Sequence, residues 1–289
     1  MNSLGNCQSF RHINHLFRAA SVLVLSLPTI CAASDSVSVI PLRLMGTSPI
    51  VIAKIEGINV PLAFDLGDSS PLVLKQKFFD QITTLPSKES HRGTDVQGNI
   101  IESETFIVPR LQLGTVVFTD VVGRPDKHDP TYQGGANLAQ GGQFGTSLLK
   151  SYKVLLDYPH REMTLIPANS PDDQAAKCKG TVVPFLPDWN GDPVTSARID
   201  AGEVKVVWDT GSPVSILRQA RAQNIGARVL THHVTTKHLI LGDTDFGPLK
   251  LDVADYAEPA GTDMFIGYNF FAKHVVCIDF PGHRFFIQR

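Results

Sequence analysis

The sequence predicts an all-β protein made of two related halves. Two observations carry this prediction: a series of landmarks occurs twice along the chain, and most apolar segments are short, rich in β-branched residues and bounded by Gly, Pro or Asn. With 289 residues, 43% of them hydrophobic, the chain is too apolar for wholesale disorder and long enough for one large domain or two small ones. The predicted strands include residues 50–55, 60–64, 101–108 and 204–208, whereas helical patterns are confined to 75–82, 217–224 and a turn after each of Gly145 and Gly267.

The duplication is visible in three pairs of segments. Residues 60–67 (VPLAFDLG) match 204–211 (VKVVWDTG), residues 144–149 match 266–271, and residues 154–159 match 276–281. The spacing between the first two landmarks is longer in the first half, and the extra residues fall around 124–142. That segment is expected either to shape or cover a cleft, or to be a plain surface loop.

The N-terminus has the order of a secretory signal peptide. Arg11 and Arg18 precede an apolar stretch, 19–30, and small residues follow at 31–33. We expect residues 1–33 to be removed after Ala33 and the mature chain to be exported, to the periplasm or outside the cell, with no stable membrane insertion. An uncleaved N-terminal anchor is the alternative. The rest divides into a lobe at 34–168, a polar linker at 169–180 and a second lobe at 181–289.

The net charge limits the partners that are expected, and the cysteine content limits the possible disulfides. The formal net charge is −2 without a run of Lys and Arg, so neither nucleic acid nor an anionic membrane is expected as a partner. After export, Cys178 and Cys277 would remain, either as one disulfide or as two separate buried thiols. No Cys/His cluster has zinc-ligand spacing, and the histidines at 232, 233 and 238 fit a polar loop better than a metal site.

The duplicated unit that carries chemistry is an Asp directly after an apolar strand, followed two residues later by Gly. It occurs at Asp65 with Gly67 and at Asp209 with Gly211. If the halves pack about an approximate two-fold axis, these turns face each other and bring the two carboxyls together. Such carboxyls share one proton, so one can accept a proton from water while the other donates to a carbonyl. This chemistry needs neither a metal nor a cofactor.

The motifs resemble those of aspartic proteases of the pepsin and retropepsin type. Residues 208–217 (WDTGSPVSIL) resemble the catalytic signature, residues 64–73 (FDLGDSSPLV) resemble an altered copy, and 144–145 with 265–267 resemble the apolar-Gly element later in each lobe. The resemblance implies a bilobal β fold, a peptide or protein substrate in a central cleft, and a flap at 92–101 around Gly98. A monomer suffices to complete the pair. It also implies catalytic roles for two residues and supporting roles for four: Asp65 and Asp209; Gly67, Thr210, Gly211 and Ser212.

Two residues depart from the family's pattern. The residue after each Asp is normally Thr or Ser, whose hydroxyl bonds across to the other lobe; Thr210 has this hydroxyl and Leu66 does not. Asp68 stands where Ser or Ala is usual. A third carboxylate raises the proton affinity of the pair if it is buried and does little if it faces water.

Three other interpretations stay open on the sequence. Asp65 and Asp209 could simply cap turns. The chain could be a non-catalytic relative that binds peptides or a cell-envelope partner, which Leu66 and Asp68 favour. It could also be an esterase with Ser69 as nucleophile, His160 as base and Asp157 as its orienter, although that architecture needs alternating helices and parallel strands.

Overall fold

Regular structure in this protein is almost entirely β-strand. The computed structural model describes residues 36–94, 100–126, 141–170, 177–188, 191–200, 202–224, 232–256 and 261–289. The strands of the first half are β1 Ser38–Pro41, β2 Arg43–Met45, β3 Ser48–Ile55, β4 Ile58–Phe64, β5 Val73–Lys75, β6 Leu85–Thr94, β7 Ile100–Leu113, β8 Val116–Asp126, β9 Gly142–Phe144, β10 Tyr152–Asp157 and β11 Glu162–Pro167. Those of the second half are β12 Thr181–Pro184, β13 Leu186–Pro187, β14 Pro193–Ile199, β15 Gly202–Trp208, β16 Ser215–Arg218, β17 His233–Thr236, β18 Leu239–Leu241, β19 Thr244–Asp245, β20 Leu249–Ala254, β21 Met264–Ile266, β22 Val275–Asp279 and β23 Arg284–Gln288. The all-β prediction is confirmed.

The helices are short, and two of the predicted ones are shorter than expected. They are α1 Gln76–Phe79, a 3-10 turn Thr146–Leu149, α2 Gln219–Asn224 and α3 Tyr268–Phe271. The helix predicted over 217–224 loses its start to β16, because Leu217 is buried and pairs with Met264 in β21. The helix predicted over 75–82 keeps only its middle turn. At the start of each predicted helix, strand pairing with distant residues overrides the local helical pattern, since Lys75 pairs with Asp126 and Leu217 with Met264.

Within the described residues the strands form three sheets. One belongs to the first half, in the order β2-β3-β4-β9-β5-β8-β7-β6, and one to the second, in the order β17-β20-β16-β21-β15-β14-β18-β19 with β13 on β14. The third takes strands from both halves, in the order β1-β11-β10-β22-β23-β12. This shared sheet fixes the position of one half relative to the other.

The centre of the shared sheet is an approximate two-fold axis. Leu155 of β10 lies opposite Cys277 of β22, and these two residues occupy the same place in the duplicated sequence segments. On either side Val154 pairs with Ile278 and Leu156 pairs with Val276. Because Val154 corresponds to Val276 and Leu156 to Ile278 in the duplication, a two-fold rotation exchanges these two pairs. Residues at the axis therefore meet their own counterparts, as in a symmetric dimer interface.

A disulfide anchors this axis. Cys178, just before β12, is bonded to Cys277, and their Cα atoms are 5.4 Å apart. The bond closes a segment between residues 99 apart in the sequence. Of the two alternatives left by the sequence, separate thiols or one disulfide, the structure contains the disulfide.

We expect the change Cys178→Ser to lower the free energy of unfolding by about 2–5 kcal/mol, because a long cross-linked loop restricts the unfolded chain. Urea unfolding of the wild type with and without a reductant, beside the variant, measures this. The reduced wild type should match the variant, and the variant should not respond to reductant. Equal stability of oxidised and reduced wild type would contradict the prediction.

Candidate active site

Two buried strands position the duplicated acids. Strand β4 ends at Phe64 and β15 ends at Trp208, and both side chains are fully buried. Phe64 packs on Phe144 with ring centroids 5.3 Å apart, and Trp208 stacks on Phe285 at 4.3 Å. Because each strand end is held in a packed core, the residue that follows it has a fixed position.

The two acids have matching backbone surroundings. The N–H of Asp65 donates to the carbonyl oxygen of Phe144, and the N–H of Asp209 donates to that of Ile266, each at 3.0 Å. The residues that follow these acceptors must be glycines. A Cβ on Gly145 or Gly267 would collide with backbone carbonyls of the turn that follows the Asp in the same half. The duplicated sequence therefore produces a duplicated local structure.

The carboxyl groups of Asp65 and Asp209 lie close together, because a Cβ added to Gly211 would lie 2.8 Å from Oδ2 of Asp65 and 3.1 Å from Oδ1 of Asp209. Gly67 likewise lies against the carboxyl of the other motif, since its added Cβ would lie 3.0 Å from Cγ of Asp209. The structure thus brings the two acids and both glycines together.

Backbone N–H groups hold the two carboxyls unequally. Oδ1 of Asp209 accepts from the N–H of Gly211 at 2.8 Å and from that of Ser212 at 3.0 Å. Among the described residues, Oδ1 of Asp65 accepts from one backbone N–H, that of Gly67, at 3.0 Å. Ser212 therefore acts on the site through its backbone, while its hydroxyl donates to the carbonyl oxygen of Val214 within the turn.

This difference affects the two pKa values unequally. Burial raises the pKa of Asp65 well above its ordinary value, and the charges of Asp209 and Asp68 raise it further, against the lowering effect of the Gly67 N–H. Burial also raises the pKa of Asp209, but the N–H groups of Gly211 and Ser212 oppose it. Since hydrogen bonds to a carboxylate favour its charged form, the backbone donors favour the charged form of Asp209 more than that of Asp65.

The hydroxyl of Thr210 connects the two motifs by hydrogen bonds. This hydroxyl is fully buried, donates to the carbonyl oxygen of Phe64 at 2.7 Å and accepts from the N–H of Leu66 at 2.9 Å. Leu66 stands at the equivalent position of the first motif and is also fully buried, but it has no hydroxyl with which to return these bonds. The reciprocal pair implied by the resemblance is therefore present in one direction only.

We expect Thr210→Val to lower the free energy of unfolding by about 1–3 kcal/mol, because it leaves the N–H of Leu66 and the carbonyl of Phe64 buried without this partner. Thr210→Ser keeps the hydroxyl and is the matched control. Chemical denaturation of both variants measures the difference. Equal stability of the two variants would show that the bond is not important.

Asp68 is partly buried and belongs to a polar cluster beside the pair. It accepts from the Ser70 N–H at 2.7 Å and from Nε2 of Gln143 at 2.5 Å, and its carboxylate lies 3.7 Å from the Arg124 guanidinium. Its charge raises the pKa of both Asp65 and Asp209. Of the two effects considered from the sequence, that of a buried third carboxylate applies.

Sequence reasoning missed Arg124 and Gln143. Arg124 lies near Asp68 because β8 pairs in parallel with β5, which places Arg124 beside Val73. Gln143 lies near Asp68 because β9 pairs with both β4 and β5. Gln143 directly precedes the apolar-Gly element, and that adjacency was the only local signal for it. Nothing local singled out Arg124.

The predicted flap corresponds to the hairpin of β6 and β7, which pair from Leu85 with Ile107 to Thr94 with Ile100. Gly98 itself, like the rest of 95–99, lies outside the described residues. On β6, His91 is partly buried, and burial together with the charge of Arg124 lowers its pKa, against the charge of Asp68. The hairpin thus places the titratable side chain of His91 where the charges of Arg124 and Asp68 act on it.

The esterase arrangement does not match this fold. His160 is 76% exposed and its Nδ1 lies 2.9 Å from Asp157 across the tight turn between β10 and β11. Those strands belong to an antiparallel arrangement, and the described part of the chain has no alternation of helices with parallel strands. The Asp157–His160 pair is a feature of this surface turn.

The segments predicted as a signal peptide and as the extra loop of the first half lie mostly outside the described residues. Over the described ranges, no cluster of three or more His, Cys, Asp and Glu side chains is arranged to hold a metal ion. No helix in that part of the structure is long and apolar enough to cross a membrane.

Comparison with known proteins supports the fold. No model of a protein family matches the chain, and no curated protein sequence matches it. Among solved structures, the aspartic proteinase from Irpex lacteus resembles it with a TM-score of 0.59 at 12% sequence identity, over 87% of this chain and 97% of that one. The fold is therefore the all-β, bilobal fold of the aspartic proteinases.

Proposed function

We propose that the protein is an aspartic endopeptidase that hydrolyses peptide bonds between Asp65 and Asp209. One observation carries the proposal: two equivalent strand ends bring two carboxyls together, each against the glycine of the other motif. The fold likeness is consistent with it. The pattern of backbone donors on the two acids assigns a different role to each.

In this mechanism Asp209 is the base and Asp65 the acid. The ionised Asp209 takes a proton from a water held between the carboxyls, the water oxygen attacks the peptide carbonyl carbon, and Asp65 gives its proton to the carbonyl oxygen. The gem-diol then collapses: the proton on Asp209 passes to the leaving nitrogen, and a diol hydroxyl returns its proton to Asp65. The products are a carboxylic acid and an amine, and the pair regains its single proton.

We further propose export, with residues 1–33 as the signal peptide. The order of basic, apolar and small residues at the N-terminus supports this. So does the Cys178–Cys277 disulfide, since such bonds persist in oxidising compartments. Determining the first residue of the protein recovered from its native host tests it; a chain that begins well before Ala33 would contradict cleavage.

A non-catalytic peptide-binding protein is the second candidate, and Leu66 is the observation that favours it. Without a hydroxyl at this position, the hydroxyl bonds of Thr210 to Phe64 and Leu66 are not returned from the first motif. Incubation of the mature protein with an unfolded protein substrate from about pH 3 to pH 7, followed by mass spectrometry of the products, separates the two. Cleavage that Asp65→Ala and Asp209→Ala each abolish supports the endopeptidase. Binding of peptides without cleavage at any pH supports the second candidate.

A further inference from the structure

A fourth acid, Asp192, lies beside the candidate catalytic pair. Strand β14 pairs with β15 so that Val194 lies opposite Val207. Asp192 comes two residues before Val194, directly before β14, and the same register continued would put it at the level of Asp209. The charge of Asp209 acts on Asp192, as expected for residues at one level of neighbouring strands about 4.8 Å apart. The charge of Asp192 is in fact felt by Asp65, across the site.

The first half has no acid at the matching position. The duplication aligns Asp192–Pro193 with Ser48–Pro49, and Ser48 holds the same level beside Asp65 through the pairing of β3 with β4. At this strand position, therefore, one half has a carboxyl and the other has none. A peptide bound across the two-fold axis would meet the carboxyl of Asp192 on the second-half side, while Asp68 stands on the first-half side.

Asp192 has a fixed backbone position, but one oxygen of its carboxyl has no hydrogen-bond partner among the described residues. The residue is 5% exposed, and the oxygen that lacks a partner within the described part of the chain is Oδ1. Gly191 and Asp192 are held by Asp188, whose Oδ1 accepts from their N–H groups at 2.9 and 3.0 Å. A Cβ on Gly191 would lie 3.8 Å from Cβ of Ser69, so Gly191 also lies near the first motif. A buried polar group without a partner is costly unless a ligand supplies one.

The surroundings of Asp192 favour a cation. Burial raises its pKa to about 8, and the charges of Asp188, Asp68 and Asp209 contribute in the same direction. Arg124, the cation of this region, is next to Asp68. A bound ammonium or guanidinium would relieve the repulsion among the carboxyls and supply the missing donor.

We propose that Asp192 is a specificity residue, lining a subsite that accepts a cationic group of the substrate, a Lys or Arg side chain, next to the bond to be cleaved. This rests on the proposed endopeptidase function. The same chemistry would suit the ammonium group of a peptide N-terminus, so the experiment separates the two sources.

The test compares peptides that differ at one position. N-acetylated peptides carry Lys, norleucine or Glu at each position around the cleaved bond, and kcat/KM is measured for wild type, Asp192→Asn and Asp243→Asn. Asp243 lies on an exposed turn, so its variant loses the same charge away from the site. At one position the wild type and Asp243→Asn should prefer Lys over norleucine by at least about 10-fold, and in Asp192→Asn this ratio should fall to within about 3-fold.

A pH series adds a readout that a purely structural role would not give. Asp192 of the free protein is protonated in acid, with a pKa of about 8, and attracts a cation only once ionised. The Lys-to-norleucine ratio of the wild type should therefore rise from about pH 4 towards neutral pH, and that of Asp192→Asn should stay flat. A wild-type ratio that falls or stays constant would contradict the proposal.

The outcomes separate the subsite from the catalysis. Cleavage with no preference for Lys at any position, and no faster cleavage of peptides with a free N-terminus than of their acetylated forms, overturns the subsite and leaves the endopeptidase standing. If no peptide is cleaved, calorimetry with the same peptides decides: tighter binding of Lys peptides that depends on Asp192 supports the subsite while the catalytic proposal fails, and equal or absent binding overturns it. A preference seen only with non-acetylated peptides supports the subsite and identifies the N-terminal ammonium as its ligand.

Discussion

The change Asp209→Asn is expected to lower kcat/KM for peptide cleavage by about 10³-fold or more. An amide cannot take the proton from the attacking water, and general acid–base groups contribute factors of about 10² to 10⁴. The amide oxygen can still accept from the N–H groups of Gly211 and Ser212, which now hold Oδ1. The turn should therefore keep its shape while the chemistry is lost. Initial rates on a peptide that the wild type cleaves provide the measurement.

Asp65→Asn should have an effect of similar size, because it removes the proton donor of the same pair. Since the two acids act as one unit, the double variant should be little worse than either single variant. Circular dichroism and thermal unfolding of each variant show that loss of rate is not loss of fold. A variant at either position that keeps a tenth or more of the wild-type rate would contradict the assignment.

The change Asp192→Asn is expected to remove a large part of the pH dependence of stability. In the native state burial and acidic neighbours raise the pKa of Asp192 to about 8 from its ordinary value of 3.8. Between these values the native state binds more protons than the unfolded state, so the free energy of unfolding falls as pH rises. Asn does not titrate, so the variant gains over the wild type from near zero at pH 4 to roughly 3–5 kcal/mol at pH 8.

Urea unfolding at several pH values from 4 to about 8 measures this gain, with Asp243→Asn as the control. The exposed Asp243 should give a small difference from the wild type that does not grow across the series. Asp65 and Asp209, whose pKa values are also raised, add to the fall in both proteins. Because the charge of Asp192 raises the pKa of Asp65, its removal lessens the contribution of Asp65 and adds to the gain of the variant. A gain for Asp192→Asn that is the same at pH 4 and pH 8 would show that its carboxyl is not held neutral.

Much of the site could be predicted from sequence because its main residues occur at equivalent positions of the two repeats. The Asp-x-Gly units follow apolar strands in both halves, and two-fold packing of repeats is enough to bring Asp65 and Asp209 together. The hydroxyl of Thr210 and the consequence of Leu66 followed from the same comparison of motifs. The effect of Asp68 was left as two alternatives because it depends on burial, which the local sequence does not determine.

Other parts depend on pairing between strands that are distant in sequence. Arg124 reaches Asp68 through the parallel pairing of β5 and β8. Asp192 reaches the pair through the register of β14 on β15, and its Asp-Pro dipeptide reads locally as an ordinary turn. The helix predicted over 217–224 began too early for the same reason, since Leu217 pairs with β21.

The most direct test of the central claim is a crystal structure of the mature protein with a peptide inhibitor that carries a tetrahedral hydroxyl, such as pepstatin or a closer-fitting analogue. Shared-proton catalysis predicts the inhibitor hydroxyl between Asp65 and Asp209, within about 3 Å of an oxygen of each carboxyl. Carboxyls too far apart to share the hydroxyl, or an inhibitor bound away from them, would contradict it.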